Sequence, residues 1–163
     1  MPLVPFRAAL AVAAVTLVAA CAEPPGPSPE HQAVFAEPVD VEVVVASVKN
    51  AMRYATPVVE APAGATVRLV MDNSETTSPA MVHNVVVVEA EPAVERVGRA
   101  AASARDNVPD DAAILAYTPL AGPGQRTAVV FTMPPPGRYP FLCTYPGHFQ
   151  FMQGTLVSTE PEG

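Results

Sequence analysis

The chain has 163 residues, of which half are hydrophobic, 15% are charged and 20 are proline. Its formal net charge is −7, and this acidic balance argues against a nucleic-acid-binding protein, because phosphates attract lysine and arginine. Abundant valine and proline, with no tryptophan, favour a single β-rich domain with many turns.

The first 20 residues have the pattern of an export signal. Arg7 is their only charged residue, and it precedes an apolar run over residues 8–20 that is too short to span a membrane. Small residues then lead directly to Cys21, which resembles the bacterial lipoprotein signal, in which the cysteine is lipidated and becomes the mature N-terminus. We therefore expect cleavage before Cys21 and a location in the bacterial periplasm or on the outer face of a membrane. An ordinary signal cleaved within a residue of Cys21 is the alternative.

Residues 21–37 are predicted to form a tether. They include the run Pro24-Pro25-Gly26-Pro27-Ser28-Pro29, a composition that cannot pack a core and that prefers the extended polyproline II conformation. Behind a lipid on Cys21, this segment would hold the following domain, residues 38–163, away from the membrane. A leader without a role is the alternative interpretation.

The first half of the domain is predicted to consist of strands. Its apolar stretches either alternate with polar residues or become solidly apolar, as strands of a sandwich do. Turn residues at 62–65 and a polar loop at 72–79 separate them. The predicted strands cover residues 39–48, 52–60, 66–72 and 83–89.

Residues 91–105 break the β pattern and predict a short helix. Pro92 suits its first turn, and Val94, Val97 and Ala101 fall on one face. Further strands are predicted at residues 114–118, 126–133, 139–143 and 154–158. The pattern therefore predicts an all-β fold: an antiparallel Greek-key β-sandwich of about eight strands, with one short helical flap.

The stretch from Cys143 to Met152 carries the clearest chemical signal. It offers a thiolate, the imidazole of His148 and the thioether of Met152, with a Pro-Gly pair that turns the chain so that these groups can converge. A trigonal site needs a further histidine, and His83 is the natural partner because His31 lies in the predicted tether. Two histidines, one cysteine and a weak axial methionine are the ligand set of a blue-copper electron-transfer site.

Other interpretations of these residues remain. Taken singly, each residue is more often structural, and Cys143 could pair with Cys21, although each cysteine lies in a motif that uses it alone. A copper storage or delivery protein is the alternative function, but such proteins favour clustered methionines and the six here are scattered. A copper enzyme would need a second centre with more ligands than His31 supplies. We therefore predict no enzymatic activity.

Three stretches resemble the cupredoxin family, and within it azurin and the auracyanins. They are Met81 to Val85, Ile114 to Gln125 and Tyr139 to Leu156. The resemblance implies one type 1 copper per chain, cycling between Cu(I) and Cu(II) in electron transfer. It implies that His83, Cys143 and His148 are the equatorial ligands and that Met152 is the axial ligand.

The resemblance also implies the surroundings of the site. Asn84 would tie the two ligand loops together, and the backbone N–H groups of Asn84 and Tyr145 would donate to the Cys143 sulfur. Two departures from azurin are visible: Val82 replaces the glycine before the first histidine, and no cysteine is present for the N-terminal disulfide.

The implied partners are redox proteins that dock near His148, whose edge would reach the surface. The apolar residues expected to form the docking patch are Leu120, Pro146, Gly147 and Phe149. Small apolar contacts suit short-lived encounters between redox proteins. We expect a membrane contact only through a lipid on Cys21, and a monomer as the default state.

Overall fold

The computed structural model describes residues 33–161, so Cys21 and His31 lie outside the described residues, as do the signal and most of the tether. Eight strands and one α-helix make up the described part of the chain. In chain order they are β1 Val41–Ala46, β2 Val58–Pro62, β3 Thr66–Asp72, β4 Val86–Val88, α1 Glu91–Ala100, β5 Ile114–Tyr117, β6 Arg126–Thr132, β7 Gly137–Leu142 and β8 Gln153–Thr159.

The strands form two sheets that pack face to face. One sheet has the order β1-β3-β6 and the other has the order β2-β8-β7-β4-β5. The predicted sandwich of about eight strands is therefore confirmed. The sandwich was expected to be antiparallel, and two of its strand pairs depart from this, because β1 pairs with β3 and β2 pairs with β8 in parallel.

The valine run that forms β4, an interior strand of the larger sheet, is buried on both faces. Val85 and Val87 point into the core between the sheets, whereas Val86 and Val88 pack beneath helix α1, and all four are 0% exposed. A strand covered on both sides has no solvent face, so its sequence is apolar throughout. This strand is shorter than predicted, because His83 forms only an isolated bridge with Ala121 before β4 begins.

Helix α1 is the predicted flap, packed on the outer face of the larger sheet. Pro92 lies in its first turn, and Val94, Val97 and Ala101 are buried as the periodicity predicted. The α-helix ends at Ala100, earlier than predicted, and two short 3₁₀ turns follow at Ala101–Ser103 and Arg105–Asn107.

Contact with the sandwich begins within the predicted tether. The buried guanidinium of Arg68 on β3 donates to the carbonyl of Val34 at 3.0 Å and to that of Glu37. The segment before β1 is therefore fixed to the smaller sheet. Among residues 33–161, no helix has the length and apolar character needed to cross a membrane.

Candidate metal centre

Cys143, His148 and Met152 lie at one end of the sandwich, where β7 and β8 are joined. The Cys143 N–H donates to the Met152 carbonyl at 3.0 Å, which closes the loop at its base. Within the loop, the His148 N–H donates to the Tyr145 carbonyl at 3.0 Å, and Gly147 adopts a φ of 84°, a conformation that glycine accepts easily. The loop turns back on itself, and His148 comes to lie beside Cys143.

The structure brings His83, Cys143 and His148 together in a buried cluster. The two Nδ1 atoms are 3.2 Å apart, and the Cys143 sulfur lies 3.9 Å from that of His83 and 3.7 Å from that of His148. A point equidistant from the three atoms lies about 2 Å from each, which is the length of a bond from a first-row metal ion to nitrogen or sulfur. The cluster therefore has the dimensions of a three-ligand metal site.

The electrostatics of the cluster favour neutral groups when no metal is bound. Burial, and then the neighbouring His148, lowers the pKa of His83 to about 4, and burial lowers the pKa of His148 as well. Burial raises the pKa of the Cys143 thiol to about 11, although hydrogen bonds from the backbone of Asn84 and Tyr145 act in the opposite direction. Two neutral imidazoles are ready to ligate a cation, which would displace the thiol proton.

Asn84 joins the segment that carries His83 to the cysteine loop. Its side-chain amide donates to the Thr144 hydroxyl at 2.8 Å, and its side-chain oxygen accepts from the Thr144 N–H at 2.8 Å. Its own backbone N–H lies within hydrogen-bonding reach of the Cys143 sulfur. Since Asn84 is fully buried, these two hydrogen bonds between the loops are protected from water.

Met152 is fully buried on the same side of the sheet as Cys143. The two residues form the next opposed pair beyond Leu142 and Gln153 in the antiparallel β7–β8 register, and opposed side chains lie on one face. Both belong to the core cluster between the sheets. The Met152 side chain therefore lies in the core between the sheets, on the same face as Cys143.

Asn73 is a second buried amide that supports the site, and the sequence reasoning missed it. Its side-chain nitrogen lies 2.9 Å from the Met81 carbonyl and 3.0 Å from the Ala121 carbonyl, while its oxygen accepts from the Ser47 hydroxyl at 2.7 Å. Met81 lies two residues before His83 in the chain, and Ala121 pairs with His83 across the isolated bridge. The polar loop at 72–79 gave a signal for a turn, but none for this role.

The surface around His148 differs partly from the predicted patch. His148 keeps 4% of its surface exposed, Pro146 and Gly147 are exposed, and Leu120 is half-buried. Phe149 packs its ring against Gly98 of helix α1, so it supports the loop from below.

Phe151, which the predicted patch omitted, is 65% exposed and is the most exposed large hydrophobic residue in the described part of the chain. The apolar surface near His148 therefore includes Phe151.

The donor chemistry fits copper better than zinc. Zinc in proteins is held by thiolate, imidazole and carboxylate, whereas two imidazoles and a thiolate, with a thioether buried in the same core, suit a metal that cycles between Cu(I) and Cu(II). Such a cluster at the end of a Greek-key sandwich defines a type 1 copper protein.

The comparisons with known proteins identify the family. A profile of the copper binding proteins of the plastocyanin/azurin family matches residues 41–159. The chain therefore belongs to this family, whose members transfer electrons and are not enzymes.

Auracyanin A from Chloroflexus aurantiacus is similar to this chain in both sequence and structure. The sequences are 39% identical over 100 residues, which cover 58% of this chain and 60% of the relative. The solved structure superposes with a TM-score of 0.66 at 30% identity, over 72% of this chain and 97% of that one.

Two further relatives extend the comparison. The azurin iso-2 structure from Methylomonas sp. strain J has a TM-score of 0.65 at 32% identity, over 74% of this chain and 99% of that one. Outer membrane protein H.8 from Neisseria meningitidis is 37% identical over 83 residues, which cover 47% of this chain and 44% of the relative. The chain thus spans less than two thirds of the length of auracyanin A and of protein H.8.

Proposed function

We propose that this protein is an electron carrier that works outside the cytoplasm with a single type 1 copper. The convergence of His83, Cys143 and His148 on one buried point carries the proposal. His83, Cys143 and His148 would hold the copper as equatorial ligands, and the thioether of Met152 would be the axial ligand. When bound, copper would supply the transferred electron by cycling between Cu(I) and Cu(II).

The protein contributes a frame that holds the ligands in one arrangement for both oxidation states. His83 is fixed through its backbone, because its N–H donates to the Ala121 carbonyl at 3.1 Å and its carbonyl accepts from the Ala121 N–H at 2.7 Å. Cys143 is fixed through Met152 and through the Asn84–Thr144 pair. A fixed frame keeps the rearrangement between the two states small, which favours rapid electron transfer.

His148 is the proposed exit for electrons. It alone of the three residues retains surface exposure, and the exposed residues Pro146, Gly147 and Phe151 lie beside it in the same loop. A small apolar face suits a brief encounter with a donor or acceptor protein. We propose redox proteins as the partners, and a monomer as the working state.

We further propose that the chain is exported and anchored by a lipid on Cys21. The support is the apolar segment and the small residues that precede Cys21, together with similarity to a relative named as an outer membrane protein. Mass spectrometry of the membrane fraction tests this proposal. A lipid-modified N-terminus at Cys21 supports it, whereas a water-soluble protein that begins near that position would contradict it.

Voltammetry of the copper-loaded protein tests the central function. We expect one reversible one-electron wave, from one copper per chain, that survives repeated cycling. A storage or delivery protein would instead release Cu(I) to a chelator after reduction. Loss of the wave together with rapid copper transfer to the chelator would contradict the carrier assignment.

A further inference from the structure

Tyr54 is a buried tyrosine whose hydroxyl reaches the metal centre from another part of the fold. It lies in the connection between β1 and β2, bridged to Ser47, and only 3% of it is exposed. Its ring packs edge-on against Phe141, with centroids 5.2 Å apart and an interplanar angle of 66°. Its hydroxyl donates to the carbonyl of Asn84 at 2.5 Å. Phenylalanine would fill the same space, so the hydroxyl is what needs an explanation.

Asn84 is the residue on which this hydrogen bond acts. Its N–H points to the Cys143 sulfur, and its side chain is bonded twice to Thr144. The Tyr54 hydroxyl adds a hydrogen bond at the Asn84 carbonyl, and it comes from a segment that carries none of the ligands. The backbone of Asn84 is thus held on each side of its Cα atom.

The phenol remains a hydrogen-bond donor at all ordinary pH values. Burial, and then a negative charge on nearby Cys143, raises the pKa of Tyr54 well above its usual range. A neutral, buried hydroxyl must donate to a partner, since leaving it unpaired would cost about 1–3 kcal/mol.

We propose that Tyr54 is a positioning residue for the copper site: by fixing the Asn84 carbonyl it restrains the Asn84 backbone, so that the N–H on the other side of the Cα atom stays aimed at the Cys143 sulfur. The inference rests on the proposed copper function. An N–H aimed at the sulfur stabilises the reduced site more than the oxidised one, because the reduced site carries one more electron. Loosening Asn84 therefore lowers the reduction potential.

Tyr54→Phe tests the proposal, because it removes the hydroxyl and keeps the ring that packs on Phe141. The matched control is Tyr139→Phe, since the Tyr139 hydroxyl also donates to a backbone carbonyl, that of Pro135 at 2.8 Å, in an exposed turn. Amide hydrogen exchange in the metal-free protein gives the first measurement. We expect exchange at Asn84 to become about tenfold faster in Tyr54→Phe, the change that corresponds to one lost hydrogen bond, and to be unchanged in the control.

The reduction potential of the copper-loaded variants gives the second measurement. We expect Tyr54→Phe to favour Cu(II) over Cu(I) about threefold to tenfold more than the wild type, where tenfold corresponds to a fall of about 59 mV. The proposal is overturned if Tyr54→Phe melts at a lower temperature while Asn84 exchange and the potential match those of Tyr139→Phe. The hydroxyl would then be merely structural.

Two further results keep the outcomes distinct. If Tyr54→Phe does not fold, 3-fluorotyrosine placed at position 54 replaces it, because a more acidic hydroxyl donates more strongly. Exchange at Asn84 should then slow and the potential should rise, and no change in either would overturn the proposal. If the wild-type chain forms no blue copper species, the proposed function fails, but exchange at Asn84 in the metal-free protein still decides the role of Tyr54.

Discussion

The two histidines of the site occupy unlike surroundings. His83 is 0% exposed, and its backbone is bonded on both sides to Ala121 beside the rigid valine strand. His148 is 4% exposed and belongs to a loop with exposed residues on either side of it. One histidine therefore belongs to the frame and the other to the surface. We infer that the site divides its tasks: His83 fixes the geometry, and His148 connects it to a partner.

The largest effect is expected from removing the Cys143 sulfur, which lies next to both histidines. Cys143→Ser should abolish the intense thiolate-to-copper absorption entirely, because an alcohol oxygen cannot replace the thiolate. Cys21→Ser, at the other cysteine of the sequence, should leave the absorption unchanged. Visible spectra of both variants check this, and an intense band in Cys143→Ser would refute the ligand assignment.

Replacing each histidine by glycine sharpens the contrast between them. The gap left in His148→Gly opens towards solvent, so added imidazole should enter it and restore most of the blue absorption. The gap left in His83→Gly is enclosed, so imidazole should restore little or none. Titration with imidazole, followed by visible absorption, gives the comparison. Equal rescue of the two variants would show that their surroundings do not differ as the structure indicates.

Acid should destabilise the metal-free protein through the more buried histidine. The pKa of His83 falls from 6.5 to about 4 on folding, so between these pH values the unfolded chain binds a proton that the folded chain does not. Stability is thus fully present above pH 6.5 and is lost as the pH falls to about 4, by on the order of 3 kcal/mol.

Urea unfolding across this pH range, compared with His83→Gln, isolates the contribution of that histidine. The variant should lose much of the pH dependence between pH 6.5 and about 4, because it lacks the imidazole that takes up the proton. An identical pH profile for the two proteins would contradict the buried, neutral state of His83.

Gly98→Ala tests whether helix α1 supports the His148 loop through the contact between Gly98 and the Phe149 ring. Alanine normally stabilises a helix by about 1 kcal/mol relative to glycine. A Cβ atom at position 98 would lie 2.4 Å from the Phe149 ring, next to His148, so we expect a net destabilisation of about 1–3 kcal/mol.

Chemical denaturation of Gly98→Ala, with and without Phe149→Ala, measures this coupling. In the Phe149→Ala background the clash is absent, and Gly98→Ala should become neutral or stabilising. Destabilisation of the same size in both backgrounds would mean that the helix does not support the loop through Phe149.

Met152→Gln should have the mildest effect on the site. The axial position tunes the reduction potential but does not hold the metal by itself, so one copper per chain should remain bound while the potential changes. Copper analysis and voltammetry measure the two quantities. Loss of the metal, or an unchanged potential, would contradict an axial role for Met152.

Features that depend on local sequence were predictable. Alternating or solidly apolar stretches located most of the strands, although the strand predicted at 52–60 lies at Val58–Pro62, and the Cys-x₄-His-x₃-Met spacing with its Pro-Gly turn predicted the ligand loop. His83 could be added because the sequence has only three histidines. The structure places Thr66–Asp72 as predicted, since Val67, Leu69 and Met71 recur on one face and turn residues flank the strand.

Features that depend on distant contacts were not predictable. The parallel pairings of β1 with β3 and of β2 with β8 follow from how the sheets assemble, which no single segment encodes. Asn73 and Tyr54 appeared as a loop residue and a strand residue, because their partners are carbonyls that any sequence would provide. Gly98 suggested only a weaker helix, although the Phe149 ring occupies the space where its side chain would be.

The most direct test of the account is a titration of the purified protein with Cu(II), followed by visible absorption and electron paramagnetic resonance. We predict that one equivalent produces an intense blue or green species with a type 1 resonance, which a mild reductant bleaches and an oxidant restores. A pale solution, or weak binding of Cu(II) without a defined stoichiometry, would contradict the assignment of His83, Cys143 and His148 as the ligands of an electron-transfer copper.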